Sequence, residues 1–216
     1  MNKKTQKWTI GLLVVFISIT MIGSSFYAIF LPSNDDSKYT YNKEAVEEEY
    51  KARKEKVEYL IAKTKEDPEN VDLKIALADA YFEKSELSNQ LFYDEYKDDI
   101  NKSVEIYQSV LSEKEDSGTM LKLATAAFYQ ENYDLAEETY QKVLEKEDTF
   151  EVHYSYGMFQ FYARKNYDEA ISEWQKALKL ASNEDNKENV QKMIDLGIEA
   201  KTSAGDQTKQ ETEADK

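Results

Sequence analysis

A period of 34 residues in the second half of the chain constrains the fold more than any other feature of the sequence. The segment NYDLAEETYQKVLEKED is followed 34 residues later by NYDEAISEWQKALKLAS, so that Tyr133 corresponds to Tyr167 and Tyr140 to Trp174. Spacings of this length are typical of solenoids built from pairs of antiparallel helices. The period therefore predicts an all-α fold in which successive helix pairs stack on one another.

Small and large residues alternate within each copy in the way that closely packed helix pairs require. Two helices approach each other closely only where one presents a small side chain and the other a bulky one. The later copy offers Gly157 on its first helix and Trp174 on its second, and the earlier copy offers Ala124 and Tyr140. Each copy is therefore expected to fold as a helical hairpin.

Three segments carry a resemblance to a known family. They read LKLATAAFYQENYDLAEETYQKVL, YGMFQFYARKNYDEAISEWQKAL and, further upstream, DPENVDLKIALADAYFEK. Over roughly residues 68–182 the chain resembles the tetratricopeptide repeat family, although Lys74 stands where that family usually has a large apolar residue and Ser182 replaces the usual proline. The resemblance implies an α-α superhelix of about three repeats, the number that such stacks need for stability.

The same patterns divide the second part of the chain into segments. After the last repeat, Val190, Met193, Ile194 and Ile198 share one face of a predicted capping helix, and the residues beyond it have no apolar periodicity and are expected to be disordered. The predicted segments are a first repeat at 67–116, a second at 117–150, a third at 151–184, a capping helix at 185–201 and a disordered acidic tail at 202–216.

The first repeat contains an insertion around residues 86–99, because its second helix begins later than an uninterrupted repeat would place it. The inserted stretch ELSNQLFYDEYKDD is rich in aromatic and acidic residues. Insertions in repeat proteins map to loops on one face, so this one could form a lip over a binding surface. The alternative is that it extends the second helix backwards and buries its aromatic side chains.

An uncharged segment from Thr9 to Leu31 follows the short N-terminus at residues 1–8. A helix of these 23 residues would be about 35 Å long, enough to cross a hydrocarbon core of about 30 Å. The segment therefore predicts a transmembrane helix. The alternative is a cleaved signal peptide with Gly23 and Ser25 before the cut, but apolar residues continue beyond a normal signal length.

The charges that flank this segment predict its orientation. Three lysines precede it, whereas Asp35 and Asp36 follow it, and positively charged flanks stay in the cytoplasm. We therefore expect a single-pass protein of a bacterial cell membrane, with a cytoplasmic N-terminus and an extracytoplasmic repeat domain.

Residues 32–41 are polar and are expected to form a linker, and residues 42–66 are strong helix formers. An approximate apolar stripe runs through Val46, Tyr50, Val57 and Leu60. This helix is expected to pack against the first repeat and to end before Pro68. A heptad pattern is also possible, and it would make the helix a short dimerising stalk.

Composition and charge argue against several classes of function. The net charge is −15, and the part that follows the three N-terminal lysines carries −18, so an acidic surface would be repelled by phosphate backbones and nucleic acid is not expected as a partner. Cysteine is absent, and the single histidine, His153, is expected to be a packed or edge residue. No motif suggests catalytic, cofactor-binding or metal-binding residues, and we do not expect an enzyme.

The candidate site is the concave face, which the first helices of stacked helix pairs line. Its expected lining is aromatic and apolar with an acidic end, and it would suit a peptide or protein partner that is apolar with some basic character. Some of these rings could instead pack against the following C-terminal helix or against the insertion. The predicted groove residues are Ile75, Asp79, Phe82, Leu121, Thr125, Phe128, Tyr129, Ser155, Phe159 and Tyr162.

The sequence thus predicts a membrane-anchored protein-interaction module. By its layout we expect an assembly scaffold or accessory chaperone for secreted or membrane protein complexes, such as those of secretion or cytochrome c maturation. The alternatives are a structural membrane component that associates weakly with itself, and a regulatory subunit of a membrane enzyme.

Overall fold

The computed structural model describes residues 43–91 and 93–214, and every regular element in this part of the chain is a helix. A π-helical turn at Gln160–Arg164 continues the sixth helix. The eight helices are α1 at Lys43–Glu66, α2 at Val71–Leu91, α3 at Tyr93–Glu113, α4 at Ser117–Tyr129, α5 at Tyr133–Leu144, α6 at Phe150–Phe159, α7 at Tyr167–Leu180 and α8 at Glu184–Ala214.

The helices form a sequence of hairpins, in which α2 pairs with α3, α4 with α5, and α6 with α7. Among the described helices, none combines the length and the apolar character that crossing a membrane requires. The predicted span from Thr9 to Leu31 and the linker at 32–41 lie outside the described residues.

Helix α1 packs against the first repeat. Val57 and Leu60 are buried in one cluster with Leu77, Ala80 and Tyr81 of α2. Two of the apolar residues that a heptad pattern would offer to a second copy, Val57 and Leu60, are therefore used within the chain.

The insertion in the first repeat lengthens both helices of that hairpin. Helices α2 and α3 each contain 21 residues, whereas α4 has 13 and α5 has 12. The insertion is therefore helical and does not form a loop-like lip. It extends the second helix backwards, as the alternative predicted, and it extends the first helix, α2, as well. Residues 83–91 have no proline or glycine, so nothing in their backbone chemistry ends α2 earlier.

Side-chain caps and left-handed residues mark the turns within the second and third repeats. Asn132 and Asn166 begin α5 and α7, and each accepts a hydrogen bond from the backbone N–H three residues further on. Glu131 and Lys165, which precede these caps, have φ angles of 64° and 57°. The polar segments that connect the two helices of each of these repeats thus form tight turns.

In the third repeat, Gly157 and Trp174 form a close contact between the two helices. A Cβ atom built on Gly157 would lie 2.5 Å from Nε1 of Trp174. The Trp174 side chain is fully buried, and its Nε1–H donates to the backbone oxygen of Tyr154 at 3.3 Å. The absence of a side chain at position 157 is therefore what allows the indole to fit.

Helix α8 packs on α7 and extends further than the sequence suggests. Val190, Met193 and Ile194 are buried, and a Cβ atom on Gly197 would lie 2.8 Å from Cγ1 of Ile171. The helix continues to Ala214, whereas a capping helix ending at residue 201 and a disordered tail at 202–216 were expected. The tail has no apolar face, but it contains no proline and mostly good helix formers, so helix propensity alone allows the continuation.

Candidate protein-binding groove

The first helices of the three hairpins lie side by side and form one layer. The rings of Phe82 on α2 and Tyr129 on α4 are 5.3 Å apart, edge to face. The rings of Phe128 on α4 and Phe159 on α6 are 5.8 Å apart in the same arrangement. Aromatic contacts therefore connect all three first helices, as expected for the concave side of a repeat stack.

A charged bridge connects the first two repeats within this layer. The Lys122 ammonium group donates to Oδ2 of Asp79 at 2.7 Å, and the Tyr107 hydroxyl donates to Oδ1 of the same carboxylate at 2.5 Å. Asp79 is therefore neutralised by a lysine from the next repeat. The expected acidic end of the groove is therefore weaker than predicted, although Asp72, near the start of α2, is exposed.

Eight of the ten predicted groove residues are half-buried, which leaves part of each side chain accessible. They are Ile75, Asp79, Phe82, Leu121, Phe128, Tyr129, Ser155 and Tyr162. The other two are buried. Thr125 donates to the backbone oxygen of Leu121 at 3.0 Å and lies 3.2 Å from the Tyr140 hydroxyl, so it packs within its own repeat.

Phe159 is fully buried, and its placement in the groove is wrong. The strict period of 34 pairs Phe159 with Thr125, but the contacts pair it with Ala126. Leu123 and Ala126 pack against the first repeat, and Tyr156 and Phe159 occupy the corresponding places against the second. In α6 the spacing is therefore 33 residues, and the π-helical turn at Gln160–Arg164 absorbs the one-residue difference.

Tyr129 links the layer to the extended part of the first repeat. The hydroxyl of Tyr96, which lies in the insertion, donates to the backbone oxygen of Tyr129. Burial raises the pKa of the Tyr129 phenol well above its usual value, and the nearby Glu86 carboxyl adds to the effect. The phenol therefore stays neutral at physiological pH.

Glu137 is the centre of a second cluster, which the sequence did not reveal. It accepts hydrogen bonds from the Tyr156 hydroxyl at 2.7 Å and from Nε of Arg164 at 2.8 Å. Nε2 of Gln160 donates to the same carboxylate at 3.1 Å. Since Glu137 belongs to α5 and its partners lie in α6 and the π-helical turn, this cluster fixes the second repeat to the third.

His153 is buried between two carboxylates. Its Nδ1 lies 2.6 Å from Oε2 of Glu173, and its Nε2 lies 2.7 Å from Oδ1 of Asp148. Glu173 is itself only 2% exposed, and its other oxygen accepts from Lys176 at 2.6 Å. The sequence suggested a packed or edge histidine, and the structure shows a packed one that connects α6 to α7.

The fold and these contacts define a class, the α-α repeat proteins that are built from stacked helical hairpins. Residues 121–186 match the tetratricopeptide repeat family model, which supports a tetratricopeptide repeat protein. The matched segment runs from within α4 to the start of α8, and so covers most of the second and third hairpins. Comparison with curated proteins gave no match.

Proposed function

We propose that this chain is a protein-interaction module that binds a peptide or protein partner along the layer formed by α2, α4 and α6. Tetratricopeptide repeats generally mediate contacts between proteins, and residues 121–186 match that family. The observation that carries the proposal is the continuity of partly accessible aromatic side chains across successive repeats, from Phe82 through Tyr129 to Phe128.

The chemistry of this layer favours an apolar partner. Ile75, Leu121 and Phe128 offer apolar area, and aromatic side chains supply contact area at a low cost in rotamer entropy. Since Asp79 is already paired with Lys122, charge contributes less to recognition than apolar contact does. Basic side chains of the partner would find the exposed Asp72 at the edge of the layer.

The proposed setting is the outer side of a bacterial cell membrane, to which the segment from Thr9 to Leu31 would anchor the repeats. Confinement to a membrane raises the effective concentration of a binding domain near other membrane proteins. A weak contact in the groove would then suffice to hold a partner during assembly. An assembly scaffold or accessory chaperone for secreted or membrane protein complexes is the role that fits this arrangement.

Replacing Ser155 with arginine should remove partner binding without unfolding the chain. Ser155 is a half-buried, small groove residue, and a long cationic side chain would occupy the layer and repel a partner with basic character. Proteins that co-purify with the tagged full-length chain should fall by about tenfold or more, which corresponds to the loss of one central contact.

The matched control is Ser109→Arg, which makes the same change at an exposed position of α3, the second helix of its hairpin. Circular dichroism should show both variants folded, and Ser109→Arg should keep the co-purifying proteins. Equal retention by the two variants would contradict binding in this layer.

A further inference from the structure

Buried charges join α1 to the first repeat, in addition to the apolar cluster around Val57. Arg53 is 7% exposed, and its NH1 group donates to Oε2 of Glu86 at 3.1 Å. Nε of Arg53 donates to Oε1 of Glu49 at 3.0 Å, and NH1 also donates to the backbone oxygen of Glu83. Glu86 is likewise 7% exposed. The contact between α1 and α2 therefore encloses the Glu86 carboxylate, and the Arg53 guanidinium that pairs with it also donates to Glu49 and to the backbone of Glu83.

Charged groups from three helices and the neutral phenol of Tyr129 on a fourth lie around the contact that encloses Glu86. Two other cations in this part of the chain are already paired, since Lys84 donates to Oδ2 of Asp99 at 2.6 Å and Lys56 donates to Glu83 at 2.7 Å. The titratable and charged groups around Glu86 are Glu49, Arg53 and Lys56 of α1, Glu83 and Lys84 of α2, Glu95 and Asp99 of α3, and Tyr129 of α4.

Burial raises the pKa of the Glu86 carboxyl to about 7, although the Arg53 guanidinium lowers it and the neighbouring Glu83 adds to the rise. If α1 detaches, Glu86 becomes solvated and its pKa returns toward the ordinary value of about 4.3. Between these two values the docked state holds a proton that the detached state does not. The docking of α1 is therefore more favourable as the pH falls below about 7. The free energy that protonated Glu86 contributes to docking is lost as the pH rises through about 7.

We propose that α1 is a pH-sensitive cap on the first repeat, whose docking buries Glu86 beside Arg53, and that it opens more readily at mildly alkaline than at mildly acidic pH. Opening exposes the apolar face of α2 that carries Leu77, Ala80 and Tyr81. This face of α2 carries none of the predicted groove residues, so the device does not depend on what the concave layer binds. It makes the accessibility of a second apolar surface respond to pH.

The absence of native cysteine allows the cap to be probed with a single introduced thiol. Val57→Cys places a thiol in the buried contact between α1 and α2, and Ala52→Cys places a reference thiol on the exposed side of α1. Dividing the labelling rate of the thiol at position 57 by the rate of the thiol at position 52 cancels the effect of pH on the reactivity of the thiol itself. In the full-length chain this ratio should be about tenfold higher at pH 8 than at pH 6.

Two substitutions test whether Glu86 is responsible. Glu86→Gln mimics the protonated carboxyl, so the ratio should stay low at both pH values, whereas Glu58→Gln at an exposed site of α1 should keep the tenfold change. A flat ratio in the parent chain, or the same pH dependence with Glu86→Gln, would overturn the proposal. If circular dichroism shows that Glu86→Gln is unfolded, Glu86→Met provides the uncharged variant, and the parent chain's own ratio still decides.

Discussion

Replacing Gly157 with alanine should destabilise the third repeat by about 3 kcal/mol, at the upper end of what overpacking a core usually costs. The added Cβ would lie 2.5 Å from Nε1 and 2.6 Å from Cδ1 of Trp174, and a fully buried indole has little room to move away. Alanine's higher helix propensity would offset only about 1 kcal/mol of the clash. Chemical denaturation followed by circular dichroism measures the change in the free energy of unfolding.

The second repeat supplies a matched repair for this variant. There, Ala124 and Tyr140 occupy the places of Gly157 and Trp174, and both are fully buried in one cluster. Adding Trp174→Tyr to Gly157→Ala should therefore recover part of the lost stability. Gly118→Ala is the control, because its Cβ would meet only the Asp116 carboxylate at an ordinary 3.4 Å. A loss in Gly118→Ala as large as in Gly157→Ala would contradict this account of the contact.

Replacing His153 with methionine should cost about 3 kcal/mol, because it removes one partner of a buried carboxylate. Glu173 is 2% exposed and would keep only the Lys176 contact at 2.6 Å. Because this one cation remains, we expect a loss of stability at the lower end of the range for a broken buried pair. Denaturation curves of the full chain, recorded as for Gly157→Ala, give the change.

The second repeat again provides the comparison. Met120 and Thr139, both buried, stand where the third repeat has His153 and Glu173. The double variant His153→Met with Glu173→Thr leaves no buried charge at this site and should be more stable than His153→Met alone, with a coupling energy above about 1 kcal/mol. Strict additivity of the two single changes would show that the two side chains do not act as a pair.

The helical hairpins could be predicted from the sequence because their determinants are local. The recurrence of Ala136 as Ala170 and of Tyr140 as Trp174 follows the period of 34, and in the second helices the structure keeps that spacing. In α6 the spacing is 33, since a π-helical turn adds one residue before Lys165. Whether one extra residue is accommodated in a helix or in a turn depends on packing. The buried position of Phe159 could therefore not be predicted from spacing alone.

The groove's charge could not be predicted for a different reason. Asp79 and Lys122 are 43 residues apart, and each looks like an ordinary solvated residue of its own helix. Their pairing depends on how far successive hairpins are rotated, which is a property of the stack. The same holds for Arg53 and Glu86, which meet only because α1 folds back on the first repeat.

Site-specific photo-crosslinking tests the central claim, binding along the layer of first helices, most directly. A probe replacing Phe128 reports on this layer, and a probe replacing the exposed Lys142 of α5 reports on a second helix. Both would be placed in the full-length chain in its native cells. We expect Phe128 to capture one or a few defined proteins that Lys142 does not capture. Capture of nothing at Phe128, or of the same background as at Lys142, would contradict the proposed groove.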